Sequence, residues 1–469
     1  MKNLNYILLL FILLLPVACS KDEGVRAGDL IESIEAKVRA DNALRVDLGF
    51  RFRTEAAYQV TYWKEGDEAS RRQTAVSEPA LSATATLVFL EPQTMYRFKV
   101  SVSAGGETAE SDEYTFTTGR LPADVPLCSV LSDNLTEAVP GYILLMQPDT
   151  PGYIVVVNAE GTVVWYEKME ENVIVATFSP EFNTFSCIVG THPAKAYTGK
   201  EIVVLDIYGN RLLERPSTDL WVHHDVRRMP DGNLVAVHYV PKPFDLSARG
   251  GSAQEVVWGD GYVILDMKGK VLKQWDCFNE LNPQDDPHIM DVVAVTSVLA
   301  EPITYREDWL HANSVNFDAE GNFYMSFNWR SELWKIDAQT GDVVYRVGKD
   351  GTVELPEAGV ASGMHSNWPL APDRVLVYDN GLTNHISRAL IYQVDPVSRK
   401  ASVELNVPLD GAYTSAYMSS VRMIHDDLLL FGGTASQCIV FTDGQGTVLR
   451  TLATMMQSYR AEYIPEVRY

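Results

Sequence analysis

Hydrophobic and polar residues alternate along the N-terminal part of the chain. The alternation is clearest over residues 44–50 and residues 58–63. Successive side chains of a β-strand point to opposite faces of a sheet, so this pattern is typical of strands with one buried face. It predicts a small β-sandwich over residues 28–119, followed by a linker at residues 119–122.

A different pattern repeats six times in the remainder of the chain. Each copy is an apolar strand that ends in an acidic or amide residue and runs into a turn. The strands end at Asn158, Asp206, Asp266, Asp337, Asp395 and Asp443. Six copies over residues 125–469 give about 55 residues each, slightly more than the ~40–50 of a four-stranded propeller blade. Since no long helical periodicity is present, the chain is predicted to be all-β, with a six-bladed β-propeller over residues 125–469. Two stacked sandwiches are the structural alternative.

One segment of the N-terminal region is more specific than alternation alone. In residues 90–98, a turn containing Pro92 leads into Tyr96. This segment resembles the fibronectin type III domain, in which a tyrosine hydroxyl ties a corner of the sandwich. The resemblance implies that Trp63 is the core tryptophan and that the domain is a spacer or recognition module without chemistry of its own.

The first residues carry a targeting pattern. An apolar run from Tyr6 to Ala18, too short for a membrane span of ~20 residues, ends at Cys19. It resembles a bacterial lipoprotein signal, which implies a signal peptide over residues 1–18, lipid attachment at Cys19 and a flexible tether over residues 19–27. The alternative is an ordinary cleaved secretory signal. The lipoprotein interpretation predicts a protein of the cell envelope, anchored to the outer membrane through its lipid alone.

Charge and cysteine spacing exclude several kinds of partner. The sequence has 62 acidic and 39 basic residues, a formal net charge of −23. Nucleic acids and anionic lipid surfaces need a cationic face, so neither is predicted to bind. The four cysteines after Cys19 are far apart and form no CxxC pair. Their spacing therefore indicates neither a zinc site nor a dense disulfide framework. A single long-range disulfide is the alternative that the spacing leaves open.

Three of the nine histidines occupy similar positions in their repeats. His224 and His365 lie ten residues before the next predicted strand, and His311 lies twelve residues before it. A difference of two keeps a side chain on the same face of a strand, so the three imidazoles are expected to converge on the central channel. His223 is expected to face the opposite side. Three histidines also suit zinc, but only Asp225 is placed to support such ligands, and no metal is predicted.

The strings around these histidines resemble the bacterial arylsulfate sulfotransferase family. They are residues 221–225, residues 308–315, and His365 with residues 377–381; the resemblance extends over residues 125–469. It implies a six-bladed propeller enzyme that moves a sulfuryl group from a phenolic sulfate ester to a phenol through a sulfated histidine. No nucleotide donor, metal or other cofactor is implied.

The resemblance also assigns roles to individual residues. His365 takes the place of the nucleophile, His224 and His311 those of supporting histidines, and Asn313 that of a sulfate ligand. Aromatic residues that are expected either to stack on the phenol rings or to pack the blades are Trp309, Trp329, Trp368 and Tyr378.

The chain departs from the family at one position. The family has an essential arginine on the strand after the second string, where this chain has Asn328. Arg330, two residues later, lies on the same face of a regular strand and is expected to replace that arginine in catalysis. The departure keeps two rivals open, a non-catalytic surface propeller that binds a glycan or a protein and an aryl sulfate hydrolase. Whether the chain forms a homodimer is also open.

Overall fold

The computed structural model describes residues 26–195, 198–293, 303–425 and 427–469. The predicted signal peptide, Cys19 and most of the predicted tether lie outside these residues. Among the described residues, no helix combines the length and the apolar character that crossing a bilayer requires.

The described chain forms two compact units. The first contains residues 26–35, 49–85 and 97–115, and the second contains residues 36–48, 86–96 and 116–469.

The N-terminal strands form a separate β domain around one long strand. Its elements are α1 (Ala27–Leu30), β1 (Ile31–Val38), β2 (Val46–Lys64), β3 (Asp67–Gln73), β4 (Ala80–Leu87), β5 (Met95–Ala104), β6 (Glu107–Glu110) and β7 (Tyr114–Thr117). The strand order is β1-β2-β5-β6, with β3 and β4 paired to β2 and β7 paired to β5. Because β2 is continuous over 19 residues, the two alternating segments of the sequence lie in a single strand.

Two residues of the fibronectin resemblance have the expected surroundings. The Tyr96 hydroxyl accepts a hydrogen bond from the Glu91 backbone N–H at 2.9 Å. Trp63 is 2% exposed, and the Arg71 guanidinium lies 4.3 Å from its ring centroid. Membership of the fibronectin type III family itself stays a prediction.

Six further sheets form the predicted six-bladed β-propeller. The first strands are β8 (Cys128–Asp133), β9 (Tyr142–Gln147), β10 (Gly152–Val157), β11 (Val163–Met169), β12 (Val173–Ser179), β13 (Thr184–Thr191), β14 (Gly199–Asp206) and β15 (Arg211–Pro216). They are followed by β16 (Trp221–Arg228), β17 (Leu234–Phe244), β18 (Glu255–Leu265), β19 (Val271–Asp276), β20 (Ala312–Phe317), β21 (Phe323–Phe327), β22 (Glu332–Ile336) and β23 (Val343–Val347). The last are β24 (Met364–Ala371), β25 (Arg374–Asp379), β26 (Arg388–Asp395), β27 (Lys400–Pro408), β28 (Ser420–His425), β29 (Leu428–Gly433), β30 (Cys438–Thr442), β31 (Val448–Thr454) and β32 (Glu462–Ile464). Short 3₁₀ helices occupy Ser247–Arg249, Cys277–Asn279, Pro283–Asp285, Tyr305–Glu307, Glu357–Gly359 and Gly411–Tyr413.

The two ends of the propeller sequence close the ring. Four blades are runs of four consecutive antiparallel strands, β12–β15, β16–β19, β20–β23 and β24–β27. The C-terminal strand β32 pairs with β9 and becomes the innermost strand of the blade β9–β11. The strand β8 pairs with β31 and adds a fifth, outermost strand to the blade β28–β31. Closure in this way leaves few unpaired strand edges.

The acidic or amide residue of the sequence repeat stabilises the turn after the third strand of each blade. In β14, Asp206 Oδ1 accepts hydrogen bonds from the N–H groups of Tyr208 and Asn210, both at 2.9 Å. Gly209 supplies the positive φ of +86° that this turn requires. The repeat therefore marks a turn held by a side-chain oxygen, which comes from an aspartate in five blades and from the Asn158 amide in the other, and this explains why the motif recurs once per blade.

Buried apolar side chains fill the spaces between neighbouring blades. Trp165 of β11 stacks on Phe185 of β13 with ring centroids 4.3 Å apart, for example. All four described cysteines are free. Cys187 and Cys277 are fully buried, and burial raises the pKa of both thiols, so they pack as small apolar residues.

Candidate active site

The inner strands of the six blades line one channel. They are β12, β16, β20, β24, β28 and β32, and each contacts the next around the ring. His224 and His365 lie in the first half of β16 and β24, and His311 directly precedes β20. Because the blades repeat the same strand order, all three histidines lie at the same end of the channel.

A β-bulge accompanies each of these histidines. The register of the inner strand against its neighbour shifts between Val222/Val226, Ala312/Ser314 and Met364/Ser366. His224 and His311 also have left-handed backbone conformations, with φ of +56° and +57°, each of which costs about 1–3 kcal/mol. Bulges redirect side chains, so the irregular backbone, and not the regular alternation assumed from the sequence, aims these rings.

The three imidazoles converge. The ring centroids of His224 and His311 are 4.8 Å apart. Asn328 connects His311 to His365, because its N–H donates to the His311 carbonyl at 2.9 Å and its amide nitrogen lies 3.0 Å from His365 Nδ1. That amide donates to the Met364 carbonyl at 3.3 Å. The three histidines are only 6–9% exposed, so their interactions are little screened by water.

The partners of His365 fix its tautomer. The Asn380 amide nitrogen donates to the carbonyls of Ser415 and Met418, at 2.6 and 3.2 Å. Its Oδ1 must therefore face His365 Nδ1 and accept that nitrogen's hydrogen, at 2.5 Å. Nε2 then carries the lone pair, and it accepts a hydrogen bond from the Met418 backbone N–H at 3.1 Å. The nucleophilic atom of this ring is consequently Nε2.

His365 is neutral over a wide range of pH. Burial, followed by the positive charge on His311, lowers the pKa of His365 to about 3. The hydrogen bond to Asn380 raises the pKa, but too weakly to compensate. A neutral imidazole keeps the lone pair that nucleophilic attack needs.

His311 has the opposite surroundings. Its Nδ1 lies 2.6 Å from Asp308 Oδ2, and the other Asp308 oxygen accepts a hydrogen bond from the Tyr239 hydroxyl at 2.8 Å. Burial opposes a charge on His311, but the charge and the hydrogen bond of Asp308 together outweigh burial and raise the pKa of His311. His311 and Asp308 therefore form a buried imidazolium–carboxylate pair.

His223 and His224 form a second pair of rings. Their Nδ1 atoms are 2.6 Å apart, and His223 stacks on Tyr239 with centroids 3.8 Å apart. The expectation that His223 faces away from the site is wrong, because the bulge in β16 breaks the alternation. Burial lowers the pKa of both rings, and for His224 the charge of His311 adds to this effect. His224 is therefore a neutral neighbour of the charged His311.

This arrangement combines a neutral nucleophile with a nearby acid. Environments that push the pKa values of two titratable groups apart identify which group acts as acid and which as base or nucleophile. Among the residues that the structure describes, no cluster of three His, Cys, Asp or Glu side chains is arranged to hold a metal ion.

Comparison of the sequence with models of protein families identifies the family of the chain. The sequence profile of the arylsulfotransferase (ASST) family matches residues 129–448. The chain belongs to the arylsulfotransferase family. The matched region includes all three site histidines together with Asp308 and Asn380. No curated protein matches the chain in sequence.

Solved structures resemble the chain only distantly. A protein of unknown function from Bacteroides caccae is 13% identical, covers 70% of this chain and 100% of its own length, and has a TM-score of 0.44. A virginiamycin B lyase from Staphylococcus aureus is 11% identical, with coverages of 70% and 99% and a TM-score of 0.32. YCF48 from Cyanidioschyzon merolae is 11% identical, with coverages of 69% and 88% and a TM-score of 0.33.

Asn313 lies next to the histidines of the candidate site. Its side chain is fully buried; the amide nitrogen donates to the Met364 carbonyl at 2.8 Å, and Oδ1 accepts from the Ser326 hydroxyl at 2.7 Å. Asn313 thus holds the backbone next to His365 in place. Its predicted contact with sulfate stays a prediction.

Arg330 does not lie on a regular strand. β21 ends at Phe327 and β22 begins at Glu332, so Arg330 belongs to the turn between them. Its Nε donates to Glu332 Oε1 at 3.2 Å, and the Glu332 side chain is fully buried. The premise of a regular strand is therefore wrong. Asn328, in the register of the family arginine, contacts His365 itself.

The aromatic candidates separate into two groups. Trp329 is 36% exposed and its ring centroid lies 4.6 Å from that of His311, which places it at the mouth of the site. Trp309 is buried, donates to Asp286 and stacks on Phe278. Tyr378 is fully buried in its blade, and Trp368 lies toward the other end of β24.

Three important residues of the site were not identified from the sequence. Asp308 had a usable signal, since it lies three residues before His311 within a string already noted. Lys195 is near Asp308, with its ammonium group 4.7 Å from the Trp258 ring centroid, and burial lowers its pKa. Arg460 is buried, and its Nη2 donates to the His224 carbonyl at 3.1 Å. Lys195 and Arg460 carry no motif that marks them.

Proposed function

We propose that the protein is an aryl-sulfate sulfotransferase that moves a sulfuryl group from a phenolic sulfate ester to a phenol, with His365 as the transient carrier. The feature that supports this most directly is the opposite effect of the surroundings on the pKa values of two neighbouring histidines. The low pKa of His365 keeps this ring neutral with its lone pair on Nε2, whereas Asp308 raises the pKa of His311 and so favours its protonated form.

In the first half-reaction, His365 Nε2 attacks the sulfur of the donor. The N–S bond forms as the bond between sulfur and the aryl oxygen breaks. His311 gives its proton to the departing phenolate, and Asp308 holds His311 in the orientation that this transfer needs. The protein thereby avoids releasing a phenolate anion into a poorly solvated site.

In the second half-reaction, the acceptor phenol gives its proton to His311. The phenol oxygen attacks sulfur, the N–S bond breaks, and His365 returns to its neutral form. The site then regains its initial protonation without a cofactor or a nucleotide donor taking part.

The sulfuryl oxygens need hydrogen-bond donors during both steps. The Met418 N–H lies 3.1 Å from His365 Nε2 and loses its acceptor once Nε2 binds sulfur. It can then donate to a sulfuryl oxygen, as backbone N–H groups do in oxyanion holes. The Lys195 ammonium group interacts electrostatically with Asp308 and adds positive charge beside the Asp308–His311 pair.

The decisive experiment measures colour release from 4-nitrophenyl sulfate with and without added phenol. Phenol-dependent release is expected for a transferase. Release that does not need phenol would identify a hydrolase, and no release from folded protein would favour a non-catalytic binder. A sulfuryl adduct on His365 in quenched enzyme is the expected mass-spectrometric signature of the intermediate.

Arg330 provides a separate test within the proposed function. Its guanidinium is already engaged by Glu332, so Arg330→Gln is expected to lower turnover by only about fivefold, the loss of a partly screened charge. Arg374→Gln, a surface arginine paired with Glu404, is the matched control. A loss of about 100-fold or more would show that Arg330 contacts the sulfuryl group, as the family resemblance implies.

The proposed location rests on residues 1–23 of the sequence alone. Lipid attachment at Cys19 and anchoring to the outer membrane are expected to be lost together in Cys19→Ala, which metabolic labelling with a fatty acid and membrane fractionation would measure. A protein that stays in the membrane fraction without the cysteine would contradict the anchor.

A further inference from the structure

The channel has a second end, at the opposite side from the histidines. The inner strands β12, β16, β20 and β24 continue past the site and end around a cavity of about 230 Å³. We refer to this cavity as the channel foot. It is lined mainly by Phe178, Arg227, Arg228, Phe317, Trp368 and Pro369.

A buried layer of charged side chains separates the channel foot from the histidines. In it, Arg227, Arg422 and Arg460 face two carboxylates. Glu462 receives hydrogen bonds from Arg227 Nη2 at 2.7 Å and from Arg422 Nη2 at 2.6 Å, and Asp225 receives one from Arg460 Nη1 at 3.1 Å. Every member is at most 6% exposed. Three guanidinium groups against two carboxylates leave a positive charge in a poorly solvated region.

Two arginines present unused donors to the channel foot. Arg227 is 6% exposed; its Nε and Nη2 bind Asp225 and Glu462, whereas no described residue accepts a hydrogen bond from its Nη1. Arg228 Nε donates to the Gly232 carbonyl at 2.9 Å, and Arg228 Nη1 is buried without a partner among the described residues. Buried guanidinium donors without an acceptor are costly. Glu181, which is exposed, is the acidic residue among the described residues that line the cavity.

The remaining walls of the channel foot suit an aromatic ring. The Trp368 ring has the guanidinium groups of Arg422 and Arg227 at 4.5 and 5.5 Å from its centroid. Phe178 and Phe317 are half-buried and line the same cavity. An aromatic ligand would stack or pack against these side chains while its charged group reaches the arginines.

We propose that the channel foot is a second binding site, separate from the histidines, for a small aromatic anion: an arene that carries a sulfonate, sulfate or carboxylate group. The anion pairs with Arg227 and Arg228, and the ring lies against Trp368. Binding there involves no bond-making step and does not depend on the proposed sulfuryl transfer.

The first test uses 4-iodobenzenesulfonate, which cannot transfer its sulfonate group. Crystals of the full protein soaked with this compound are expected to show anomalous iodine density beside Trp368. Isothermal titration should detect a binding event in wild-type protein that Arg228→Gln weakens at least tenfold. The neutral 4-iodobenzenesulfonamide is expected to bind at least tenfold more weakly than the sulfonate.

Two variants keep the result interpretable. Arg374→Gln, an arginine on the surface of another strand, is the matched charge control and should leave the affinity unchanged. Trp368→Leu is expected to weaken binding at least fivefold without loss of the circular dichroism signal. Turnover of 4-nitrophenyl sulfate by Arg228→Gln is expected to stay within twofold of wild type. Iodine density only beside His365, or unchanged affinity in both Arg228→Gln and Trp368→Leu, would overturn the proposal.

Discussion

The surroundings of His365 and His311 differ in the residue that binds the Nδ1 atom of each ring. Both rings are buried, and both bind a side-chain oxygen through Nδ1, at 2.5 and 2.6 Å. For His365 that oxygen belongs to the neutral amide of Asn380, and for His311 it belongs to the carboxylate of Asp308. The pKa of His365 is lowered and that of His311 is raised.

This comparison shows how one fold makes two chemical groups from the same residue type. Burial disfavours the charged imidazole in both places. A neutral acceptor leaves that effect dominant, whereas a carboxylate within hydrogen-bonding distance reverses it. The partner of Nδ1, and not the depth of the ring, therefore decides which histidine has a lowered pKa and which has a raised one.

The largest effect is expected when the attacking ring is removed. His365→Gln keeps a polar side chain of similar length but has no nitrogen lone pair, so turnover of 4-nitrophenyl sulfate should fall roughly 10⁴-fold, as for other lost nucleophiles. The exposed His425 provides the control variant, His425→Gln, with unchanged turnover expected. Residual turnover within tenfold of wild type would remove His365 from the role of nucleophile.

The next largest effect is expected when the Nδ1 partner of His311 is made neutral, as it is for His365. Asp308→Asn gives His311 a neutral partner similar to that of His365, so the pKa of His311 should fall and turnover at neutral pH should drop about 10²–10³-fold. In wild type, activity is expected to decline as pH rises through the raised pKa of His311. In the variant this alkaline limb should move to lower pH.

A matched pair on the surface controls that experiment. His288 and Asp291 have the same spacing and a 2.7 Å contact but are largely exposed. Asp291→Asn should therefore leave the rate–pH profile unchanged. An Asp308→Asn profile that coincides with wild type would show that His311 is not the acid.

The reverse exchange is expected to have a smaller effect. Asn380→Asp places a carboxylate beside His365 Nδ1 and should raise the pKa of that ring, so that more of the nucleophile is protonated near neutral pH. Turnover at pH 6 should fall about tenfold and recover as pH increases. Asn384→Asp, at an exposed position of the following loop, is the control. Loss of activity that is equal at all pH values would point to damaged structure instead.

The same difference should appear, most weakly, in stability. The pKa of His365 is about 3 when folded and about 6.5 when unfolded, so between these values the unfolded chain binds the extra proton. Stability should consequently fall on acidification from pH 6.5, by about 1.4 kcal/mol per pH unit from this ring. His311 has the opposite sign: its contribution is complete below about pH 6.5 and is lost as pH rises through its raised pKa.

Urea unfolding at pH 5 and pH 7 measures these slopes. His365→Gln is expected to lose less stability than wild type between pH 7 and pH 5, because the proton no longer binds preferentially to the unfolded chain. Equal losses in both proteins would mean that His365 is protonated in the folded state at pH 5.

The closed propeller and the positions of the histidines could be predicted from the sequence because both depend on local patterns. The blade repeat is local, since each copy contains its own acidic turn, as at Asp206. Motif spacing similarly located His224, His311 and His365. The directions of the rings depend on bulges and on left-handed backbone at His224 and His311, which alternation of residue types does not encode.

Residues that act across long sequence distances were the ones missed. Arg460 donates hydrogen bonds to the backbone carbonyls of His224 and Asn313, which are more than a hundred residues away in sequence. The contact arises because β32 is the innermost strand of the blade β9–β11. Lys195 approaches Asp308 from a different blade. Nothing local to either residue indicates such a neighbour, whereas Asp308 could be inferred from its position near His311.

Ring closure by β32 also sets the order of events during biosynthesis. A nascent chain that has already passed His365 still lacks Tyr459 and Arg460, which bond to the carbonyls beneath the histidines. The backbone at His224 and Asn313 is thus held in register only after Tyr459 and Arg460 have docked. A product that terminates before Tyr459 would contain all three histidines but lack the hydrogen bonds that fix the backbone beside them, so the candidate site is complete only once synthesis has proceeded through β32.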